Sequence, residues 1–197
     1  MKFFETSKYY SFKKSIYVTL RWIGILGQFV SVNFVYFVLG FDFDFISSNL
    51  VIFFGALSNL YLIFFYKQSQ LNDKSAFLYL VIDIFQLGFL LYLTGGIVNP
   101  FVIFILIPSI FSSSHLSFFT NTLLVVFTSI FIIILTFYSS DLPAPLSDHF
   151  HVSPYYYYSI PISLIIALFF LNYFAMTFGI QSRLRKEALS KMEEVMA

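Results

Sequence analysis

The chain has 197 residues, 59% of them hydrophobic and 11% charged, with a formal net charge of +1 at pH 7 and a mean hydropathy of +0.85. A soluble domain carries roughly 25% charged residues, so this composition excludes an ordinary globule and describes a polytopic membrane protein; its basic residues are also too sparse for a nucleic-acid surface. There is no cysteine, which excludes a disulfide, a thiol switch and a cysteine-ligated metal within this chain.

A membrane helix needs about 20 mostly apolar residues. Six stretches approach this: 17–39, 46–66, 76–93, 101 to about 114, 118–138 and 155–178. The first is too long for a cleaved signal peptide and lacks a small-residue cleavage site after it. It carries Arg21, Gln28 and Asn33. In the third, Asp83 is the one acid well inside a span, where an ionisable group costs about 2.5–3.5 kcal/mol on insertion scales. Gln86, three residues on, shares its helix face and can hydrogen-bond to the carboxyl group. Asp83 and Gln86 read either as a proton relay or ligand contact, or as inter-helix glue with Arg21, Gln28, Asn33 or Asn59 as partner.

Between the third and fourth spans lies "LTGGIVNPF", residues 93–101. Gly95 or Gly96 suits the left-handed conformation that ends a helix, Asn99 suits a cap, and Pro100 suits the first turn that follows. The same residues would also suit a ligand, since glycines expose backbone N–H groups and Asn99 adds an amide. A continuous helix separates Asp83 from Gly95 by about 18 Å, so one small ring would not touch both. The fourth span is the weak one: it is short, contains Pro108 and runs into "SSSHLS", which leaves a re-entrant hairpin open.

Charge arbitrates, because Lys and Arg collect in short cytoplasmic loops. Lys2, Lys8, Lys13, Lys14 and Arg21 lie at the N-terminal end, Lys67 and Lys74 in the second loop, and Arg183, Arg185, Lys186 and Lys191 in the tail. The remaining loops carry Asp42, Asp44, Asp141, Asp148, His149 and His151. Six crossings with both termini cytoplasmic satisfy this distribution. His149 and His151 lack the further ligands of a metal site, and "YYYY" at 155–158 suits an interfacial aromatic belt. The abundance of Phe and Tyr accompanies that of Ile, a bias that an AT-rich gene produces without any function.

The expectation is an all-α membrane protein: a cytoplasmic segment over 1–16, a six-helix transmembrane domain over 17–180, and the start of a cytoplasmic linker helix over 181–197. In that tail Leu189, Met192 and Met196 fall at the spacing of a coiled-coil seam. It reads as the start of a signalling linker or as a solvated helix that anchors the last span. No catalytic motif and no nucleotide-binding glycine loop is present.

With "TLRWIGILGQ" at 19–28, "SNL" at 58–60, "DIFQLGFLLYLTGGIVNPF" at 83–101 and "IPS" at 107–109, the chain resembles the membrane sensor region of redox-responsive histidine kinases of the RegB/PrrB/ActS type. Residues 95–101 fit that family's GGxxNPF heptad at every specified position. The resemblance implies a homodimeric sensor in a bacterial inner membrane that binds ubiquinone and reports the state of the quinone pool. The ligand positions carried over are Gly95, Gly96, Asn99, Pro100 and Phe101; Asp83, Gln86, Arg21 and Gln28 stand beside them as candidates for polar coupling on their intramembrane polarity alone. It also implies a following kinase domain that binds ATP, absent from these residues, and a response regulator as phosphoryl recipient. The chain departs from the pattern in lacking a His-Glu-x-x-Thr-Pro block. A competing class of similar size is the substrate-binding subunit of an energy-coupled transporter, although the first span lacks the AxxxA docking face of such subunits; a lipid-modifying enzyme would need acidic or histidine clusters that are not seen.

Overall fold

The computed structural model describes residues 12–143 and 152–196; Lys2, Lys8, Asp148, His149 and His151 lie outside the described residues. Two-residue strands β1 (Phe12–Lys13) and β2 (Gln70–Leu71) pair antiparallel, a small exception to the expected all-α fold. The helices are α1 (Lys14–Phe37), α2 (Phe45–Phe65), α3 (Asp73–Leu93), α4 (Ile107–His115), α5 (Phe118–Phe137) and α6 (Pro154–Met196). Between α3 and α4 run two 3-10 stretches, Gly96–Val98 and Pro100–Leu106.

The helix starts follow from capping side chains. Asp44 accepts from the Ser47 backbone N–H at 3.1 Å before α2, and Asn72 accepts from that of Ser75 at 2.8 Å before α3; each satisfies an otherwise orphan donor. The Ser47 hydrogen bonds also hold the Asp44 carboxyl below the usual aspartate range. Asp73 then accepts from both the backbone N–H and the hydroxyl of Ser117, at 2.9 and 2.8 Å. This ties the start of α3 to the start of α5.

Consecutive segments run in opposite directions. Between α1 and α2 the side chains of Lys14, Arg21 and Asn33 reach Ile63, Ser58 and Asn49 in turn. Between α4 and α5, Ser109 meets Leu124 and Thr128 while Ser112 meets Asn121. Parallel neighbours agree, since Ser109 meets Asn172 and Ser114 meets Ala175 across α4 and α6. The β1–β2 pair and Ser117 therefore lie at one end of the bundle, and the turns at 38–44 and 94–99 at the other.

Five helices are long and apolar enough to cross a membrane, and Pro100–His115 is a shorter apolar one. The 3-10 winding explains how so short a segment serves. Seven residues at about 2.0 Å and nine at about 1.5 Å reach about 28 Å, close to the roughly 30 Å hydrocarbon core. The first helix begins earlier than its apolar stretch, α1 starting at Lys14 rather than 17, and α6 continues past residue 180 without a break into the helical tail that was expected.

The core gathers around α3, whose Leu80, Ile84 and Leu91 are almost fully buried with Leu62, Ile97, Ile105, Leu124, Ile132 and Leu168. Phe53, Phe54, Phe64 and Phe169 are among the many large side chains left on the outer surface. In a bilayer that surface faces lipid, which is as apolar as they are.

Candidate functional site

The "GGIVNP" turn is built as its residue types dictate. Gly95 and Gly96 have φ of +109° and +58°, the left-handed region that side chains avoid. Both are buried. A Cβ on Gly95 would stand 2.6 Å from a Leu142 methyl, and one on Gly96 would collide with Ser139. Ile97, 1% exposed, plugs the top of the core. Asn99 then caps the next stretch: its carbonyl accepts from Phe101 N–H at 2.8 Å, and its amide donates to the carbonyl and hydroxyl of Thr94 at 2.9 and 2.8 Å. The space that side chains at Gly95 and Gly96 would need is thus taken by Leu142 and Ser139, and the Asn99 amide donors are spent within the turn.

Beside this turn lies a cavity of about 650 Å³. Its walls are α1 on one side and Pro100–Phe111 on the other, with the cavity-facing residues of α3 as its floor. Asn99, Pro100 and Phe101 line its outer end, while Arg21, Asp83, Gln28 and Gln86 line it deeper in. Gly95 and Gly96 are not among its lining residues. Of the five positions carried over from the resemblance, three border the cavity and two shape the turn that holds them. Phe101, 44% exposed, stacks on Phe104 with centroids 5.9 Å apart.

The deep end is polar and mostly satisfied. Arg21, 7% exposed, pairs with Asp83 at 2.7 Å through its Nη2, which also reaches the Ser58 hydroxyl at 2.8 Å. The Tyr17 hydroxyl donates to the other Asp83 oxygen at 2.5 Å. Asn59 accepts from Arg21 at 3.4 Å and donates to the Val18 carbonyl at 3.2 Å, and the guanidinium sits over the Tyr17 and Tyr79 rings. Desolvating a charge costs several kcal/mol, and this set of partners is what makes a buried arginine tolerable. Three helices are locked together by it.

Gln86 does not bond to Asp83, as its helix spacing allows; it donates instead to Gln28 at 2.7 Å. The reason is that Asp83 is already held by Arg21 and Tyr17, while Gly55 leaves room for the Gln86 side chain against α2. A Cβ on Gly55 would stand 3.3 Å from the Gln86 amide carbon. Gln86 also borders a second, smaller cavity of about 490 Å³ between α2 and α3.

The expected partners of Asp83 thus divide: Arg21 takes the carboxylate directly, Asn59 supports Arg21, Gln28 takes Gln86, and Asn33 bonds to Asn49 at 3.2 Å. Tyr17, Ser58 and Thr94 were not anticipated. Tyr17 had a geometric signal, lying four residues before Arg21 on the same helix face, and Ser58 and Thr94 lie within the stretches 58–60 and 83–101 that carry the resemblance. Among the described residues no group of three or more His, Asp or Glu side chains is placed to hold a metal ion.

A second polar set ties α4 to its neighbours away from the cavity. Ser109 and Thr128 hydroxyls meet at 2.5 Å, Ser112 donates to Asn121, Asn121 donates to Asn172, and Asn172 donates back to the Ser109 carbonyl. The fourth segment therefore touches the cavity with one face and α6 with the other.

Comparison with known proteins agrees with this architecture. Residues 31–189 match the family described as the PilS-like transmembrane domain. The chain is 28% identical over 176 residues to the sensor histidine kinase RegB of Cereibacter sphaeroides, covering 87% of this chain and 37% of that protein. It thus spans little more than a third of the length of that relative. No solved structure matches. Taken with the apolar helices and the alternating passes, these matches show that the chain belongs to the PilS-like transmembrane domain family, as a RegB-type multi-pass region of a bacterial inner membrane.

Proposed function

We propose that this chain is the membrane sensor domain of a histidine kinase, that it binds ubiquinone, and that it reports the redox state of the quinone pool. The observation that carries this is the cavity, which joins the Asn99-Pro100-Phe101 segment to a polar deep end through mostly apolar walls. Its volume lies within the roughly 300–1,000 Å³ of small-molecule sites. The residues fit a flat polar head with a long apolar tail, because Phe101, Phe104 and Phe111 line one wall and lipid-facing α1 forms the other. A quinone supplies a carbonyl/hydroxyl couple whose two states differ as acceptor and donor. A site shifts an equilibrium only by its different affinity for two states.

In this reading Pro100 and Phe101 contact the ligand, Asn99 holds the segment in register, and Gly95 and Gly96 act by shaping the turn. The fourth segment transmits the change to α6, whose tail enters a cytoplasmic linker. Both termini are cytoplasmic, because Lys13, Lys14, Lys67 and Lys74 gather at the end of the bundle opposite Asp42, Asp44 and Asp141. The kinase assembles as a homodimer, uses ATP in a following domain and passes phosphate to a response regulator.

The test is decyl-ubiquinone binding to the wild type and to an Asn99→Ala, Phe101→Ala double variant in lipid nanodiscs. Loss of the aromatic wall is expected to weaken binding about ten-fold. Equal affinity would remove the assigned pocket. Reading the gene beyond the codon for Ala197 tests the kinase separately, since that reading requires an open frame with a His-Glu-x-x-Thr-Pro block.

A further inference from the structure

Resting on the quinone reading, we infer that the Gln28–Gln86 amide pair is the head-group site, and that it binds the reduced ring more tightly than the oxidised one. Each primary amide has one acceptor oxygen and a two-proton donor. The single bond from Gln86 Nε2 to Gln28 Oε1 at 2.7 Å leaves the Gln28 Nε2 donors and the Gln86 Oε1 acceptor without a hydrogen-bond partner among the described residues. Both side chains line the cavity and are only partly buried.

Depth supports the placement. Gln86 lies about 12 Å along α3 from Thr94, and Phe104 lies about 10 Å along the 3-10 stretch from Asn99. The amide pair and the Phe104 ring therefore face the cavity at one level. Phe101 stacks on Phe104 from the outer side, which places the heptad around the mouth of the site and the amides around its polar end. Asp83 and Arg21 are less suited to the role, because their charged atoms already hold one another, Tyr17 and Ser58.

The chemistry sets the preference. A quinone carbonyl only accepts, so it takes a hydrogen bond from Gln28 and leaves its lone pairs facing the Gln86 oxygen. A quinol hydroxyl accepts from Gln28 and donates to Gln86 at once. One additional hydrogen bond corresponds to about five-fold in affinity, or about 1 kcal/mol.

Decyl-ubiquinone and decyl-ubiquinol are titrated into this chain in nanodiscs, with the fluorescence of its sole tryptophan, Trp22, as the signal. The wild type is expected to bind the quinol about five-fold more tightly. Gln86→Leu should bring that ratio close to one while changing quinone affinity little. A Gln28→Leu, Gln86→Leu double variant replaces both partners with apolar groups of similar size, so it should keep the helical circular dichroism and weaken both ligands. A wild-type ratio near one, or an unchanged ratio in Gln86→Leu, overturns the inference and leaves the quinone reading standing. Failure of the wild type to bind either form overturns both.

Discussion

Arg21 and Asp83 illustrate how much a single buried pair can demand of its surroundings. A charge is expensive to remove from water, and what offsets it here is a full set of partners: the Asp83 carboxylate, Ser58, Asn59 and two tyrosine rings. Removing one member strands the other. Asp83→Leu should therefore destabilise the fold by about 3–5 kcal/mol, and adding Arg21→Leu should recover most of that loss. Thermal unfolding of the two variants in the same detergent decides the matter; equal losses would mean that the pair is not what holds α1 to α3. The expense of Asp83 and the need for a partner were legible in the sequence. The choice between Arg21 and Gln86 was not, because helix spacing shows which residues share a face and says nothing of a competitor arriving from another helix.

At the scale of elements, the turn after α3 was the most legible part of the chain. Left-handed glycines, an Asn cap and a Pro in the first turn are demanded by backbone geometry, and all are found. What the glycines face was not legible. Leu142 and Ser139, from the chain beyond α5, fill the space that side chains at the two positions would take. The fourth segment posed the opposite problem, since counting apolar residues made it look short while its 3-10 winding lengthens it. A spanning segment puts Phe118 on the side of Gln68 and opposite Ser140. In this naturally cysteine-free chain, Gln68→Cys and Phe118→Cys should react with an impermeant maleimide from one side only, and Ser140→Cys only from the other. Labelling of Ser140→Cys from the side of Gln68→Cys, with Phe118→Cys labelled from the other, would mean that the segment re-enters instead.

Over the whole molecule, hydrophobicity and the placement of basic residues foresaw six passes in alternating directions. The cavity could not be foreseen, because it arises from how far α1 stands from the fourth segment, and separation between helices leaves no mark in hydropathy. The buried Ser109–Asn121–Asn172 cluster was missed for a related reason: small polar residues scattered over three spans look unremarkable until folding brings them together. Its position sets α4 between the cavity and the 43-residue helix α6, which at about 1.5 Å per residue is about 65 Å long. That length exceeds twice the hydrocarbon core of roughly 30 Å, so a shift of its inner half is carried well outside the bilayer.

The 3-10 stretch Pro100–Leu106 gives one of the six crossings a reserve of length. Rewound as α-helix, its seven residues would shorten by about 3.5 Å, comparable to the few ångströms by which biological membranes differ in thickness. The chain can thus meet a thinner bilayer by rewinding one segment while the other five keep their tilt. Reconstituted in lipids of decreasing acyl length, it should gain α-helical signal at the expense of 3-10 as the bilayer thins; a spectrum indifferent to acyl length would show that the stretch is fixed. A segment that borders a cavity on one face and grips the 43-residue helix α6 on the other would then respond to the thickness of its membrane.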